Sequence, residues 1–472
     1  MSLPVLPTDI FIIVFKYIGL KEVLTLRTTC KYFLQITQSK GVWRDLLKTE
    51  VLQKNIPIPR LGGRHLESLT TKELEQCVSD ALSLRRNWTS GSPVPVHRLS
   101  LRTADQLHTQ IVSLAFLPSP DRRWLISLSL QSGDGQRVFT LQCWDIVNSD
   151  CIAQRRLEDF RGFRINTISS PAAAIALRSS NGLEILGIDF SASDPGSGFV
   201  TNHILDVDES LHIFSASTLL TKGGDNRLFL RTIENPTSPV ELRNPIHIEH
   251  KELIDALITD QYVVVARTTE LEFYPLAPFR AGSLINVIEP LTSHTWQWRV
   301  DSVSMAFQPS WEGSASPAIN ILVRYASLFP WPVNALHHYV LPCDGTYNPS
   351  REIDALNKPY LPDAVSIRTF ASPIRLFARW DMVLGSYGTA LWIDSHTEEY
   401  FDHSAEGQRL AGTLFTTVDQ DAAVAHDPNF TSASMVYQVR EDDGWIRIAI
   451  QEEEGRIALG TSAAEIVIFQ YI

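Results

Sequence analysis

Two hydrophobic rhythms divide the chain. Near the start, Ile10, Ile13, Val14 and Tyr17 recur at the spacing of one helix face, while Phe11, Phe15 and Ile18 mark a second face. Pro7 suits a first helical turn, where its missing N–H costs nothing, and Asp9 places negative charge at the positive helix end. The spacing therefore predicts a helix that begins there and is apolar nearly all round, the pattern of a helix covered on every side. Three helices in about forty residues are too few to bury both stripes alone. A partner is expected to cover one of them. The helical rhythm stops at Asn55-Ile56-Pro57-Ile58-Pro59-Arg60-Leu61-Gly62-Gly63, an irregular loop by its prolines and paired glycines. It resumes at Thr70, where Thr70 and Glu73 have capping-box spacing. Leu74, Cys77, Val78, Ala81, Leu82, Arg85 and Trp88 then form a stripe that ends before Gly91, with Trp88 expected as an anchor into the C-terminal body of the chain.

From about residue 95 the period shortens to that of β-strands. Leu141–Ile146, Leu183–Ile188, Leu228–Ile233 and Leu271–Leu276 are alternating segments whose starts advance by 42, 45 and 43 residues. Later candidates, 338–341, 390–394 and 465–469, are less evenly spaced. A period in the low forties is that of a four-stranded propeller blade, and seven such segments predict about seven blades. Apolar strands ending in small-residue turns precede several of them, at 174–182, 264–269 and 457–462, as expected of the inner strands of a blade. A ring cannot leave two long edges open, so Val96–Leu101 is expected to lie beside the final strand. Two stacked sandwiches, the competing all-β arrangement, would give shorter and less regular repeats.

The N-terminal segment has an ordered series of motifs: Leu6-Pro7-Thr8-Asp9, a helix, Leu24-Thr25-Leu26-Arg27-Thr28-Thr29-Cys30-Lys31, then Val42-Trp43-Arg44-Asp45-Leu46. This series resembles an F-box, with Asp9 where Glu is common and Thr29 where an aliphatic residue is usual. Trp144-Asp145 is similar to the dipeptide of WD-repeat proteins. The resemblance implies a multidomain chain, a small all-α F-box head followed by an all-β propeller of about seven blades. The expected division is an F-box at 1–50, a helical linker at 51–94 and the propeller at 95–472. It further implies a substrate adaptor of an SCF-type cullin-RING ubiquitin ligase, without an active site. Carried over by position, Leu6, Pro7, Ile10, Val14, Leu24 and Trp43 would contact the ligase's linker protein, and the propeller would bind a protein client. The same head would serve a non-ligase scaffold, and a propeller hydrolase is a third possibility.

Composition narrows the partners. Residues 1–90 hold 13 Lys and Arg against 8 Asp and Glu, and the rest holds 28 against 45. A basic head suits an acidic linker protein and speeds encounter with it. The acidic body has only three lysines, Lys222, Lys251 and Lys358, so nucleic acid is not an expected partner. Arg122-Arg123 and Arg155-Arg156 are expected to be solvated loop charges, and Glu452-Glu453-Glu454 a turn. No signal-peptide pattern and no run of about eighteen apolar residues occurs, so the expected setting is cytoplasmic or nuclear and away from membranes. Five scattered cysteines argue against a disulfide framework. The sequons at Asn87 and Asn429 are read as incidental. The common catalytic signatures are absent, and His247/His250 and His337-His338 lack a third ligand beside them, so no metal, cofactor or catalytic residue is expected.

Overall fold

The structure, a computed structural model, describes residues 7–103, 108–133, 136–245, 251–280, 286–308, 316–326, 335–372, 381–395, 407–415, 430–431, 433 and 435–472. Its N-terminal head consists of α1 (Thr8–Phe15), α2 (Leu20–Thr29), α3 (Lys31–Thr37) and α4 (Lys40–Leu46), followed by a π-helical turn at Leu47–Leu52. Of the two stripes of α1, it is the second that turns inward, through Phe11 and Phe15. Phe11 meets Tyr32 and Phe33 edge-on, with centroids 5.7 and 5.3 Å apart, a geometry that aromatic pairs prefer.

The connecting helix α5 (Thr71–Trp88) begins at the predicted capping box. Thr70 Oγ1 accepts from the Glu73 backbone N–H, and Glu73 Oε2 accepts from the Thr70 backbone N–H at 2.8 Å. Those bonds, with the Arg64 guanidinium, hold the Glu73 carboxyl down at about 2. The helix has two distinct halves. Leu74, Cys77, Val78 and Ala81 belong to one hydrophobic cluster with Phe11, Trp43, Leu46 and Val51 of the head. Leu84 and Trp88 belong to another, with Leu391, Leu410, Tyr437, Ile457 and Phe469 of the β body. The predicted stripe thus shifts in its last two turns: Leu84 enters the second cluster, while Leu82 stays on the head side, half-buried. Eighteen helical residues span about 27 Å, enough to reach from one core to the other.

Beyond α5, the described strands form seven sheets of four or five strands each, arranged as a seven-bladed propeller. Blade 1 runs outward through Thr109–Phe116, Trp124–Gly133, Gln136–Asp145 and Asp150–Leu157. Blade 7 is Trp445–Gln451, Arg456–Thr461 and Glu465–Gln470, completed by His97–Arg102 as its outer strand. The closing strand pairs antiparallel with the last one in the predicted position, His97 opposite Gln470 and Leu101 opposite Ile466. Both ends of the ring are thereby hydrogen-bonded to each other, which leaves no long open edge there.

Six of the seven predicted segments are the third strand of their blade, and the three small-residue segments are second strands. The seventh, at Ala390–Asp394, is a correction: it lies in Thr389–Ser395, the second strand of blade 6, whose third strand is Gln408–Leu414. Ala390, Leu391, Trp392 and Ile393 are all buried, so the segment has the apolar character of a third strand without its place. This explains the uneven spacing late in the chain. Side chains of the inner strands also stitch neighbouring blades together. Arg447 Nε donates to Val112 O at 2.7 Å, and Arg164 Nε donates to His212 O at 2.6 Å. Asp255 accepts from the Met305 N–H, Ser304 from the Leu384 N–H, and Asp381 from the Ile448 N–H, at 2.9 to 3.1 Å.

Trp88 is the residue on which head and ring converge. Its indole N–H donates to Thr389 Oγ1 at 2.9 Å, and its ring stands edge-on to Tyr437 and Tyr471 at 5.3 and 5.2 Å. A Trp88→Ala variant is expected to lose about 3 to 5 kcal/mol, the usual cost of emptying an aromatic site in a core. A Leu356→Ala variant, at a side chain that is 88% exposed, should stay within about 0.5 kcal/mol of the parent. Paired denaturant melts check both.

Candidate functional site

The first stripe of α1 stays uncovered. Ile10, Ile13 and Val14 are 40%, 51% and 45% exposed and Tyr17, just past the helix, is 84% exposed, whereas Phe11 and Phe15 are 5% and 2% exposed. Leu24 on α2 and Leu34 on α3 are also exposed. The head therefore carries a concentration of large exposed apolar side chains beside a core that α5 completes, the signature of a protein interaction surface. Lysines border it. Lys16 Nζ lies 3.5 Å from Asp45 Oδ2, and Lys21 and Lys31 are exposed.

The six motif positions fall into distinct groups. Pro7, Ile10, Val14 and Leu24 are exposed and available for contact. Leu6 lies outside the described residues. Trp43 has no surface to present and corrects the expectation of direct contact: it is fully buried, with its indole N–H donating to Thr37 O at 2.7 Å. The residue shapes the head from within. Arg27, in the same motif as Leu24, has a structural role that the motif alone does not reveal. Its guanidinium lies 5.2 Å over the Trp43 ring, donates to Thr37 O and Oγ1, and forms a two-pronged pair with Glu75 of α5 at 2.6 and 3.2 Å. One side chain thus ties α2 to α3, α4 and the connecting helix. A bidentate pair of this kind demands arginine geometry, which the spacing to Glu75, 48 residues away, hides from any local pattern.

The angle at which the propeller holds this surface depends on a second set of residues. Glu452-Glu453-Glu454 forms a 3₁₀ turn, as expected, but two of its members are buried at the joint between α5 and the ring. Glu452 accepts from the Tyr387 and Thr389 backbone N–H groups at 2.6 and 2.8 Å. Glu454 accepts from the Arg60 backbone N–H at 3.1 Å and lies 3.6 Å from the Arg122 guanidinium. The next residue, Gly455, has φ +59°, and a Cβ there would come within 2.5 Å of Leu84 Cδ1 on α5, so only glycine suits both the turn and the close approach of the helix. Burial pushes the Glu452 carboxyl up to about 7, with the N–H groups that it accepts from opposing the rise. Burial likewise raises Glu454 and lowers Arg85, whose charge Glu452 supports.

Other expected surface charges are also paired. Arg123 forms a two-pronged pair with Asp145, the acid of the Trp-Asp dipeptide, and Arg155 bonds Glu184 at 2.7 Å. These arginines are held by carboxylates instead of standing free in solvent. Asn87 of the first sequon has its side-chain amide engaged, donating to Val94 O and Tyr471 O at 2.7 and 3.0 Å. Asn429 of the second sequon and the pair His247/His250 lie outside the described residues. His338 and His337 sit in a strand with their imidazoles pushed down to about 3 and about 4 by burial, and both bond polar side chains, Asn320 and Thr369. Among the described residues no three His, Cys, Asp or Glu side chains converge as metal ligands, and no helix is long and apolar enough to cross a membrane.

The protein is thus a small helical head with an uncovered apolar stripe, held by one helix on a seven-bladed ring. Similarities to known proteins agree with each half. Residues 3–49 match the F-box-like family and form an F-box-like domain. The propeller is similar to a chain in the structure of a humanized mutant of the Chaetomium thermophilum Polycomb Repressive Complex 2 bound to the inhibitor GSK343. The TM-score is 0.50 and the identity 11%, covering 80% of this chain and 98% of that one. A chain of apo ctPRC2 in an autoinhibited state gives 0.49 at 10% identity, with coverage of 80% and 98%. At such identity the likeness is one of fold alone. No curated protein matches the chain.

The raised Glu452 carboxyl predicts a pH dependence of the joint. A carboxyl raised from 4.5 to about 7 on folding contributes its full stability below pH 4.5 and loses it as pH rises through 7. The stability advantage of the protein over a Glu452→Gln variant should therefore shrink between pH 5 and pH 8, by at most about 3 kcal/mol. Melts of both proteins across that range, in one buffer series, give the difference directly.

Proposed function

We propose that the protein is the substrate-recognition adaptor of an SCF-type cullin-RING ubiquitin ligase. The observation that carries this reading is the uncovered stripe Ile10, Ile13, Val14 and Tyr17 within a segment whose sequence matches the F-box-like family. A stripe left bare on a head whose core α5 already completes calls for a partner, and the F-box-like match supports one kind: the linker protein that joins F-box subunits to the cullin. Pro7, Ile10, Val14 and Leu24 make that contact, with Leu6 ahead of them in the chain and Trp43 setting the shape of the surface from below. Residues 1–50 serve as the docking module, 51–94 as the spacer and 95–472 as the client-binding propeller, in the cytoplasm or nucleus.

The adaptor performs no chemistry in this reading. Its contribution is geometric, because a client held by the propeller reaches the transfer machinery at a distance and angle that the joint at Trp88 and Glu452 fixes. Positioning of this sort converts a bimolecular encounter into an intramolecular one.

Co-purification with the linker protein tests the reading through two kinds of variant. Ile10→Lys with Val14→Lys changes exposed positions only, so binding should be lost while the thermal melt of the chain stays that of the parent. Trp43→Ala should lose binding by a different route, because it removes about 3 to 5 kcal/mol from the core of the head and reduces helical ellipticity. Undiminished binding by the double lysine variant, or no binding by the parent chain, removes the adaptor reading.

A further inference from the structure

A groove with no part in the docking surface runs across the head-facing side of the propeller, between blades 1 and 2. It joins two cavities of about 570 and 370 Å³ that share Leu117, Pro118, Ser119, Pro120 and Ser169. The larger opens beside Gly63, the loop residue that lies against Pro120, and the smaller runs out to Phe190. Its walls come from the turns after the first strands of blades 7, 1 and 2, together with the Phe190 loop. Trp124 and Phe190 stack at 4.5 Å with their planes 23° apart, making a flat aromatic wall. Ile168 is 51% exposed and Phe190 36% exposed, two large apolar side chains set in one concavity.

The charge of the groove is acidic on balance. Asp121 and Glu453 line it, and Asp121 is exposed. One arginine, Arg122, also lines it and lies 3.6 Å from Glu454, while Arg123 is held by Asp145. Two acidic side chains, against one arginine that already lies beside a carboxylate, therefore line an apolar trough. Such a trough takes an apolar anchor from a visitor, and the rim selects against acidic flanks, since like charges across an interface cost affinity.

We propose that this groove is a second docking site, which binds a short segment of a partner protein carrying a large apolar side chain flanked by lysine or arginine. The site belongs to the propeller and stands or falls separately from the head. It faces the side on which the head is mounted, so a segment bound there lies next to the connecting loop at 61–63.

The experiment is fluorescence anisotropy on the full chain with labelled peptides of about twelve residues. One set places a single Phe, Leu or Trp among Lys and Arg, a second places the same anchors among Asp and Glu, and a third among Ser and Gln. The basic set should saturate in the micromolar range and weaken as salt is added. Ile168→Lys and Asp121→Lys, both at exposed positions, should each weaken it about tenfold or more. Trp298→Ala, an exposed residue outside the groove, should leave binding unchanged, and linker-protein co-purification should be the same for all of these variants. Absence of saturable binding by the basic set overturns the proposal. Equal binding by the acidic set, or binding indifferent to Ile168→Lys and Asp121→Lys, overturns it as well.

Discussion

The indole of Trp88 is the contact on which this architecture turns. Helix α5 carries one face of the head core in its first three turns and one corner of the propeller core in its last, so neither core is complete without the helix. The chain then closes the ring at once. Asn87 fixes Val94 through its side chain, the Val96 N–H reaches Gln470 O, and His97–Arg102 becomes the outer strand of the final blade. Head, connecting helix and ring closure thus meet within one short stretch of chain. A joint built from edge-on aromatics and a hydrogen bond has one preferred arrangement, because packed interiors resist gradual deformation.

Around that contact the protein places charge where water cannot reach it. Glu452 and Glu454 terminate backbone N–H groups that the meeting of helix, loop and blade would otherwise leave orphaned. The cost of burying them appears as raised carboxyl pKa values. The same device recurs on the ring's inner strands, where Asp255 and Asp381 each accept an N–H from the next blade and are likewise raised by burial. A buried carboxylate in such a position is a specificity element more than a stabilising one: it fixes which N–H faces which blade. Within blade 4 the pair Arg267 and Glu272 takes this to the limit, buried at 2.8 Å with the Tyr274 hydroxyl also donating to the carboxylate.

The two interaction surfaces differ in how they are made. The stripe on α1 is a face of a single helix, bare because the head is too small to cover it, and its exposure is a consequence of length. The groove is assembled from four propeller loops separated in sequence and from Gly63 of the connecting loop, and its acidic balance comes from Asp121 and Glu453. One surface serves docking to the ligase in the proposed function. The other offers the propeller a partner on the side where the head is mounted.

Local pattern determined much of this protein. The capping box at Thr70 and Glu73, the two apolar stripes of α1, the even spacing of the early third strands and the closing segment at residue 97 all follow from periodicity and turn chemistry, which act within a few residues. Strand order late in the chain did not follow, because Ala390–Ile393 is as apolar as a third strand and only its pairing partners show it to be a second one. Trp43 belongs to the docking motif by position, yet its burial depends on α3 and α5 closing over it. Arg27 and Glu75, Glu452 and Thr389, Trp124 and Phe190 are pairs that no local window contains. The sequence by itself settled which elements form and which faces are apolar, since those are properties of neighbouring residues. Only the tertiary structure decided which charges are paired, which aromatics are covered and where a groove remains, because each depends on side chains that meet across tens or hundreds of residues.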